Sequence, residues 1–157
     1  MDWFSRAFIK ASVTWLALGV TLGVAMAVMP SWTIHRTAHL HMNLLGFVAM
    51  MIFGVAYHVL PRFVGAPLHD RRLAGAHWWI ANAGLTLMAA GFVLRTIPIV
   101  PSRVSMASLA IGGTLSALGA YAFAYNVWRT VGAPAAVRKA AATAEPVRMK
   151  VRRSRTT

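Results

Sequence analysis

Four long apolar runs constrain this chain more than any other feature of its sequence. Each run is close to the roughly 20 residues that a helix needs to cross a bilayer. The short connections between them are rich in Pro, Gly and polar residues, so consecutive helices should be antiparallel neighbours. We therefore predict an all-α integral membrane protein whose residues 1–130 form an up-down-up-down four-helix bundle. The four runs are about 8–29, 38–60, 77–97 and 104–128.

The charged residues are few and almost all positive, and their positions predict an orientation. The chain has 16 Lys and Arg against three acidic residues, a formal net charge of +13. Thirteen of the 16 fall in the first ten residues, in the connection between runs two and three, or after residue 128; three fall on the opposite side. Because short cytoplasmic segments of membrane proteins collect Lys and Arg, we predict a multi-pass protein with both termini in the cytoplasm.

The C-terminal segment 131–157 is basic and Ala-rich, and it has no apolar period to bury. We predict a disordered cytoplasmic tail that lies against anionic membrane lipid. Strong positive charge also suits nucleic acid. Most of the charges lie in short segments between apolar runs and in the tail, where they also suit the inner membrane leaflet, so we expect no nucleic-acid partner.

The distribution of acidic residues and the lack of cysteine exclude several kinds of chemistry. Asp2, Asp70 and Glu145 all lie outside the apolar runs. This argues against an intramembrane carboxylate relay, paired-carboxylate hydrolysis and a carboxylate-bridged di-iron site. With no Cys, the chain cannot form a disulfide, an iron–sulfur cluster or a covalently attached c-type haem. Imidazole is the side chain that remains for chemistry inside the membrane.

The six histidines form two groups, one at each predicted membrane face. His41 and His58 are 17 residues apart on one helix, which corresponds to about 25 Å of rise, so they cannot share a metal within one copy of the chain. The outer group is His35, His39 and His41, and the inner group is His58, His69 and His77.

In the outer group, His39 and His41 point about 200° apart on a helix, so they cannot both face the bundle interior. His41 shares an apolar stripe with Leu45, Val48 and Ile52, and small residues nearby leave room for a flat macrocycle. We expect His39 to make a hydrogen bond at the outer interface or to face a partner.

In the inner group, His58 ends the second run and His77 begins the third, so a hairpin would bring them to the same depth. One hypothesis is a bis-His haem or metal site. The alternative is that both lie at headgroup level in an aromatic belt with Tyr57, Trp78 and Trp79.

Residues 38–62 resemble the second helix of the catalytic subunit of haem-copper oxidases. The segment opens Ala-His-Leu-His-Met-Asn-Leu-Leu-Gly-Phe and closes Phe-Gly-Val-Ala-Tyr-His-Val-Leu-Pro-Arg. It is most similar to the C-type oxidases and the related nitric-oxide reductases, where a His-x-Asn segment opens the helix and a Gly-rich, Tyr-containing run closes it.

The resemblance implies a cofactor, a context and a limit. It implies that His41 is an axial ligand of the iron of a low-spin haem b near the outer face. It also implies electron transfer in a respiratory or denitrifying chain of a bacterial inner membrane. It covers only the family's N-terminal helices, and the later helices supply the other haem ligands and the copper ligands. We therefore expect no oxygen- or nitric-oxide-reducing binuclear centre and no independent catalytic activity in this chain alone.

The second axial ligand is open at the level of sequence. Met26, His35 and Met106 lie at the same predicted depth as His41, and a methionine would raise the potential relative to bis-His ligation. A ligand from a second chain is another option, because Gly19-x-x-x-Gly23 is a helix-pairing signal that could support a homodimer; intrachain packing is the competing explanation. The alternative to a homodimer as partner is a larger respiratory membrane complex.

Three other functions remain open. The chain could be a non-catalytic accessory or assembly subunit that keeps the second helix for docking and binds no haem. It could be a gas sensor in which a five-coordinate haem takes up a diatomic gas. It could also carry copper or zinc on His39 and His41.

Overall fold

The structure is a computed structural model that describes residues 1–143. Within these residues it is all-helical, and four helices are long and apolar enough to cross a membrane, which confirms that part of the prediction. The helices are α1, Trp3–Val28; α2, Pro30–Val64; α3, Arg71–Leu94; and α4, Ser102–Val131.

The connection between α2 and α3 is shorter than the sequence predicts, because both helices extend into it. α2 continues through Pro61 and ends in a Schellman motif, in which Gly65 takes φ +64° and the N–H of Ala66 donates to the Pro61 carbonyl at 3.0 Å. A left-handed residue of this kind favours glycine. α3 begins six residues before the predicted run, where the Asp70 carboxylate accepts the backbone N–H groups of Arg72 and Leu73 at 2.7 and 3.0 Å.

The segment after α4 contains a further helical stretch over residues 135–143, most of it exposed. Its alanines favour helix through intrinsic propensity even without an apolar face to bury. Residues 144–157 of the predicted tail lie outside the described residues. The disorder of the tail stays a prediction.

Helices α3 and α4 are in backbone contact. A Cβ added at Gly112 would lie 2.6 Å from the backbone nitrogen of Met88 and 2.7 Å from the carbonyl oxygen of Gly84. Gly91 meets Leu109 on one side of this crossing and Gly119 meets His77 on the other, so the two helices run antiparallel. Small residues permit this approach, and close packing is what holds helices together in lipid.

Helices α1 and α2 pack in the same antiparallel way. Gly46 of α2 lies against the Trp15 side chain and Gly54 lies against Phe8. The buried apolar core that joins these helices to α3 contains Phe4, Phe8, Met50, Tyr57, Ala74, Ala81 and Leu85. Large apolar side chains elsewhere on the bundle are exposed, as expected for helices that face lipid.

Two buried polar side chains of α4 hold the α2–α3 connection in place. The Asn126 amide donates to the Asp70 carbonyl at 2.7 Å and accepts the Asp70 N–H at 3.0 Å. Thr130 accepts the N–H of His69 at 3.0 Å. Both side chains are fully buried, so the connection that separates α2 from α3 is fastened to the end of the last helix.

The glycine contact predicts a contrast between neighbouring substitutions. Gly112→Ala should destabilise the bundle by about 1–3 kcal/mol, because its methyl group would press on the α3 backbone. Gly113→Ala is the control, since its Cβ would meet only the Met88 sulfur at 3.8 Å. Thermal unfolding in detergent, followed by circular dichroism, measures the difference. Equal unfolding temperatures would contradict the proposed contact.

The cap of α3 predicts a dependence on pH. The backbone N–H groups of Leu73 and Arg72 hold the pKa of Asp70 below its ordinary value. The stabilisation from the ionised cap is therefore complete above the unfolded pKa of about 4 and is lost as the pH falls through the lower folded value. We expect the wild type to unfold at a higher temperature than Asp70→Asn at pH 6 and this difference to vanish at low pH. A constant difference down to pH 2.5 would rule out this contribution.

Candidate functional site

Helix α2 changes its hydrogen-bonding pattern along its length. It is a 3₁₀-helix over Pro30–His35, α-helical over Arg36–His41, a π-helix over Met42–Ala49 and α-helical again over Met50–Val64. The π segment directly follows His41, and such segments are frequent at functional sites.

The π segment changes which residues share a face with His41. The sequence places Val48 and Ile52 on one stripe with it, but these side chains are 42% and 54% exposed. The stripe assumed α-helical periodicity, and i→i+5 hydrogen bonds shift the residues that follow. The prediction that Val48 and Ile52 share an apolar stripe with His41 is therefore wrong.

His39 packs against α1. Its Nδ1 lies 2.8 Å from the Gly19 carbonyl oxygen, and because a carbonyl only accepts, Nδ1 carries the proton. A Cβ at Gly23 would lie 2.9 Å from the His39 ring, and the amide of Asn43 lies over Gly19 while donating to the His39 carbonyl at 2.9 Å. The Gly19-x-x-x-Gly23 signal is thus used for packing within the chain.

His41 points toward α3 instead. Its ring lies 4.8 Å from the Phe92 ring, and its Nδ1 lies 2.8 Å from the Thr37 carbonyl oxygen. Nδ1 therefore donates, and Nε2 of the neutral ring keeps its lone pair. The side chain is half-buried. His39 and His41 contact different neighbouring helices.

The other outer candidates lie in different surroundings. His35 stacks edge-on against Trp32 with ring centroids 5.7 Å apart, and its buried Nδ1 has no hydrogen-bond partner among the described residues. Met26 is half-buried near the end of α1, and Met106 is 66% exposed on α4. Within residues 1–143, His, Asp and Glu side chains form no cluster of three that could hold a metal ion.

At the end of the bundle that contains the α2–α3 connection, Tyr57 lies where the sequence suggested His58. The Tyr57 hydroxyl is 3.0 Å from Nδ1 of His77, and both side chains are fully buried. His58 is adjacent to Tyr57 and points about 100° away on the helix, where its Nδ1 meets the Arg62 guanidinium at 2.9 Å. The structure does not bring His58 and His77 together.

A ring of aromatic side chains encloses the Tyr57–His77 pair. The His77 imidazole lies 4.8 Å from the Phe8 ring, 4.7 Å from Phe53 and 5.9 Å from Phe123, measured between centroids. Sequence reasoning placed Tyr57 in an interfacial belt. Tyr57 lies four residues after Phe53, on the same face of α2, and this spacing could have predicted that Tyr57 is buried.

Comparison with known proteins extends the resemblance seen at α2 to nearly the whole described bundle. Residues 5–135 match the family described as Cytochrome C and Quinol oxidase polypeptide I. The Cbb3-type cytochrome c oxidase subunit CcoN1 of Stutzerimonas stutzeri is 30% identical over 131 residues, covering 69% of this chain and 27% of that protein. Cytochrome c oxidase subunit 1 of Rhodobacter capsulatus is 30% identical over 122 residues, covering 64% and 22%. The chain thus spans about a quarter of the length of these relatives.

The buried Tyr57–His77 pair predicts that the Tyr57 hydroxyl contributes to the stability of the bundle and that the exposed Tyr121 hydroxyl does not. Tyr57→Phe leaves Nδ1 of His77 without its partner in an apolar surrounding and should cost about 1–3 kcal/mol of stability. Tyr121→Phe removes the same atom from a side chain that is 72% exposed, and its effect should stay within about 0.5 kcal/mol. Chemical denaturation in detergent compares the two variants. Similar losses would mean that the Tyr57–His77 bond carries no specific stability.

Proposed function

The chain belongs to the Cytochrome C and Quinol oxidase polypeptide I family, and from this premise we propose that it binds a b-type haem through His41. Its membership supports a membrane role related to respiratory electron transfer. The haem, its ligand and the choice between a respiratory and a denitrifying chain are the proposed part. Bound at His41, a b-type haem would supply one-electron transfer.

The hydrogen bond that orients the His41 ring is the observation that carries this proposal. Metal-ligating histidines usually donate one ring N–H to a carbonyl or carboxylate, which orients the ring and leaves the other nitrogen for the metal. The Nδ1–Thr37 hydrogen bond has this form. His39 has the same tautomer, but its ring packs onto Gly19 and Gly23 between two helices. His41, half-buried at the α2–α3 surface, therefore fits an axial ligand better.

The proposed orientation follows from charge. With the first ten residues, the α2–α3 connection and the segment after α4 on the cytoplasmic side, thirteen of 16 basic residues are inside, in accord with the positive-inside rule. We propose an up-down-up-down bundle in a bacterial inner membrane with both termini in the cytoplasm. His41 then lies near the outer face, at the depth that the family resemblance implies.

We propose that the second axial ligand comes from outside this bundle. His41 contacts Thr37 and Phe92, whereas Met106 is largely exposed and His35 packs on Trp32. The relatives named above are subunits of cytochrome c oxidases, which favours a larger respiratory membrane complex as the source. A homodimer would need a surface other than the one containing Gly19 and Gly23, because that surface is packed against α2.

The decisive experiment is a reduced-minus-oxidised visible spectrum with a pyridine haemochrome assay on the detergent-purified protein. The wild type should show a b-type spectrum, and His41→Ala should lose it. His69→Ala is the matched control, since His69 is exposed in the inner connection, and it should keep the spectrum. Circular dichroism checks that both variants remain folded.

The alternatives give different results in the same experiment. A haem-free wild type from haem-replete cells would reject the proposal and favour a non-catalytic accessory subunit. Copper or zinc without porphyrin would indicate a metal carrier. Carbon monoxide binding without displacement of a protein ligand would indicate a gas sensor and an open sixth position.

A further inference from the structure

A small, partly open cavity lies between α2, α3 and α4, next to the buried Tyr57–His77 pair. Its volume is about 50 Å³. Small side chains make room for it, since Ala49, Ala81 and Ala120 line its wall. Its lining is apolar apart from His77 and Ser116.

Both polar side chains in the wall leave an atom unpaired. Nε2 of His77 and Oγ of Ser116 are buried and have no hydrogen-bond partner among the described residues. Ser105 and Thr130 on the same helix instead donate to carbonyl groups of the preceding turn at 2.9 and 2.7 Å. Ser116 thus differs from these hydroxyls on α4.

The two unpaired atoms belong to side chains that line the same cavity, and each lies beside a glycine of the neighbouring helix. A Cβ at Gly119 would lie 3.6 Å from Nε2 of His77, and one at Gly84 would lie 2.7 Å from Oγ of Ser116. Ser116 is one helical turn before Gly119, and His77 is itself fully buried. The cavity wall therefore carries two unpaired polar atoms, with small residues beside each of them.

We propose that this cavity is a water-binding site in which ordered water joins Nε2 of His77 to Oγ of Ser116. Cavities lined only by apolar groups stay dry, whereas a polar cavity large enough for a water is normally hydrated. The volume exceeds the roughly 10–15 Å³ that one water requires. An apolar occupant would leave both groups unpaired, and one imidazole with one hydroxyl is a poor ligand set for a metal ion.

Water in this site completes a hydrogen-bonded chain across three helices, from Tyr57 through His77 and water to Ser116. The chain has two directions. When the Tyr57 hydroxyl donates to Nδ1, Nε2–H donates to the water; when Nδ1–H donates to Tyr57, Nε2 accepts from the water. Both arrangements keep the imidazole neutral, so neither places a charge inside the bundle. The site thus couples the tautomer of His77 to the orientation of the water.

Solid-state NMR on the full chain in lipid bilayers, with ¹⁵N-labelled histidine, tests the site. Magnetisation transfer from water to the His77 imidazole should be rapid although the residue is buried. The His77 signal is assigned by its loss in His77→Phe or, if that variant does not fold, by through-bond correlation in the wild type.

Three variants locate the water. Ser116→Ala should reduce the transfer by about half, because one of its two anchoring groups is lost. Ala81→Leu fills the cavity and should abolish it. Thr114→Ala, on an exposed part of the same helix, should leave it unchanged.

Two results would overturn the proposal. One is the absence of water transfer to His77 in the folded wild type, at mixing times that polarise the exposed His69. The other is transfer that survives unchanged in folded Ser116→Ala and Ala81→Leu, since the water would then lie elsewhere. Xenon-induced shifts at Leu85 without water transfer would identify a dry, apolar cavity.

Discussion

The backbone contact between α3 and α4 is the interaction on which the rest of this bundle depends. In lipid, an apolar side chain gains little by leaving the bilayer for a helix interface, so association rests on close packing and hydrogen bonds. Gly84 of α3 and Gly112 of α4 allow the close packing. Asn126, near the end of α4, supplies hydrogen bonds to Asp70 at the start of α3. With α4 fixed to α3, His77 lies against Gly119 and is fully buried. The buried Tyr57–His77 pair exists because these two helices are so close.

The two ends of the bundle use imidazole differently. At the end near the α2–α3 connection, His77 is fully buried and bonds to another side chain, Tyr57. At the other end, His39 and His41 bond to backbone carbonyls, which fixes the protonated nitrogen in each ring. A ring oriented through the backbone keeps a free nitrogen at low cost, which suits a ligand. A ring oriented through a buried hydroxyl belongs to an internal network.

Apolar run length and local motifs predicted the membrane spans and the family. The π segment and the partner of His77 depend on tertiary packing, so the sequence did not predict them. The four spans follow from run length, and the family follows from residues 38–62, since both are local properties. The early start of α3 could have been read from Asp70, a favourable N-cap residue. The π segment could not, because nothing in Met42–Ala49 distinguishes it from an ordinary apolar helix. The partner of His77 depends on which residue of α2 faces α3, and a difference of one position replaces His58 with Tyr57.

The π segment also makes the N-terminal half of α2 sensitive to the number of residues in that segment. An α-helix turns by about 100° for each residue, and i→i+5 bonding accommodates more residues per turn than i→i+4. Deleting one residue within Met42–Ala49 would allow ordinary i→i+4 hydrogen bonds along α2. The part of the helix before the deletion would then rotate relative to the part after it. His39 would then leave the groove formed by Gly19 and Gly23, while Tyr57 could stay in place. The number of residues in the π segment therefore sets the rotation between the two halves of α2. An insertion or deletion there would change which faces of the two halves point the same way, whereas a substitution would leave that rotation unchanged.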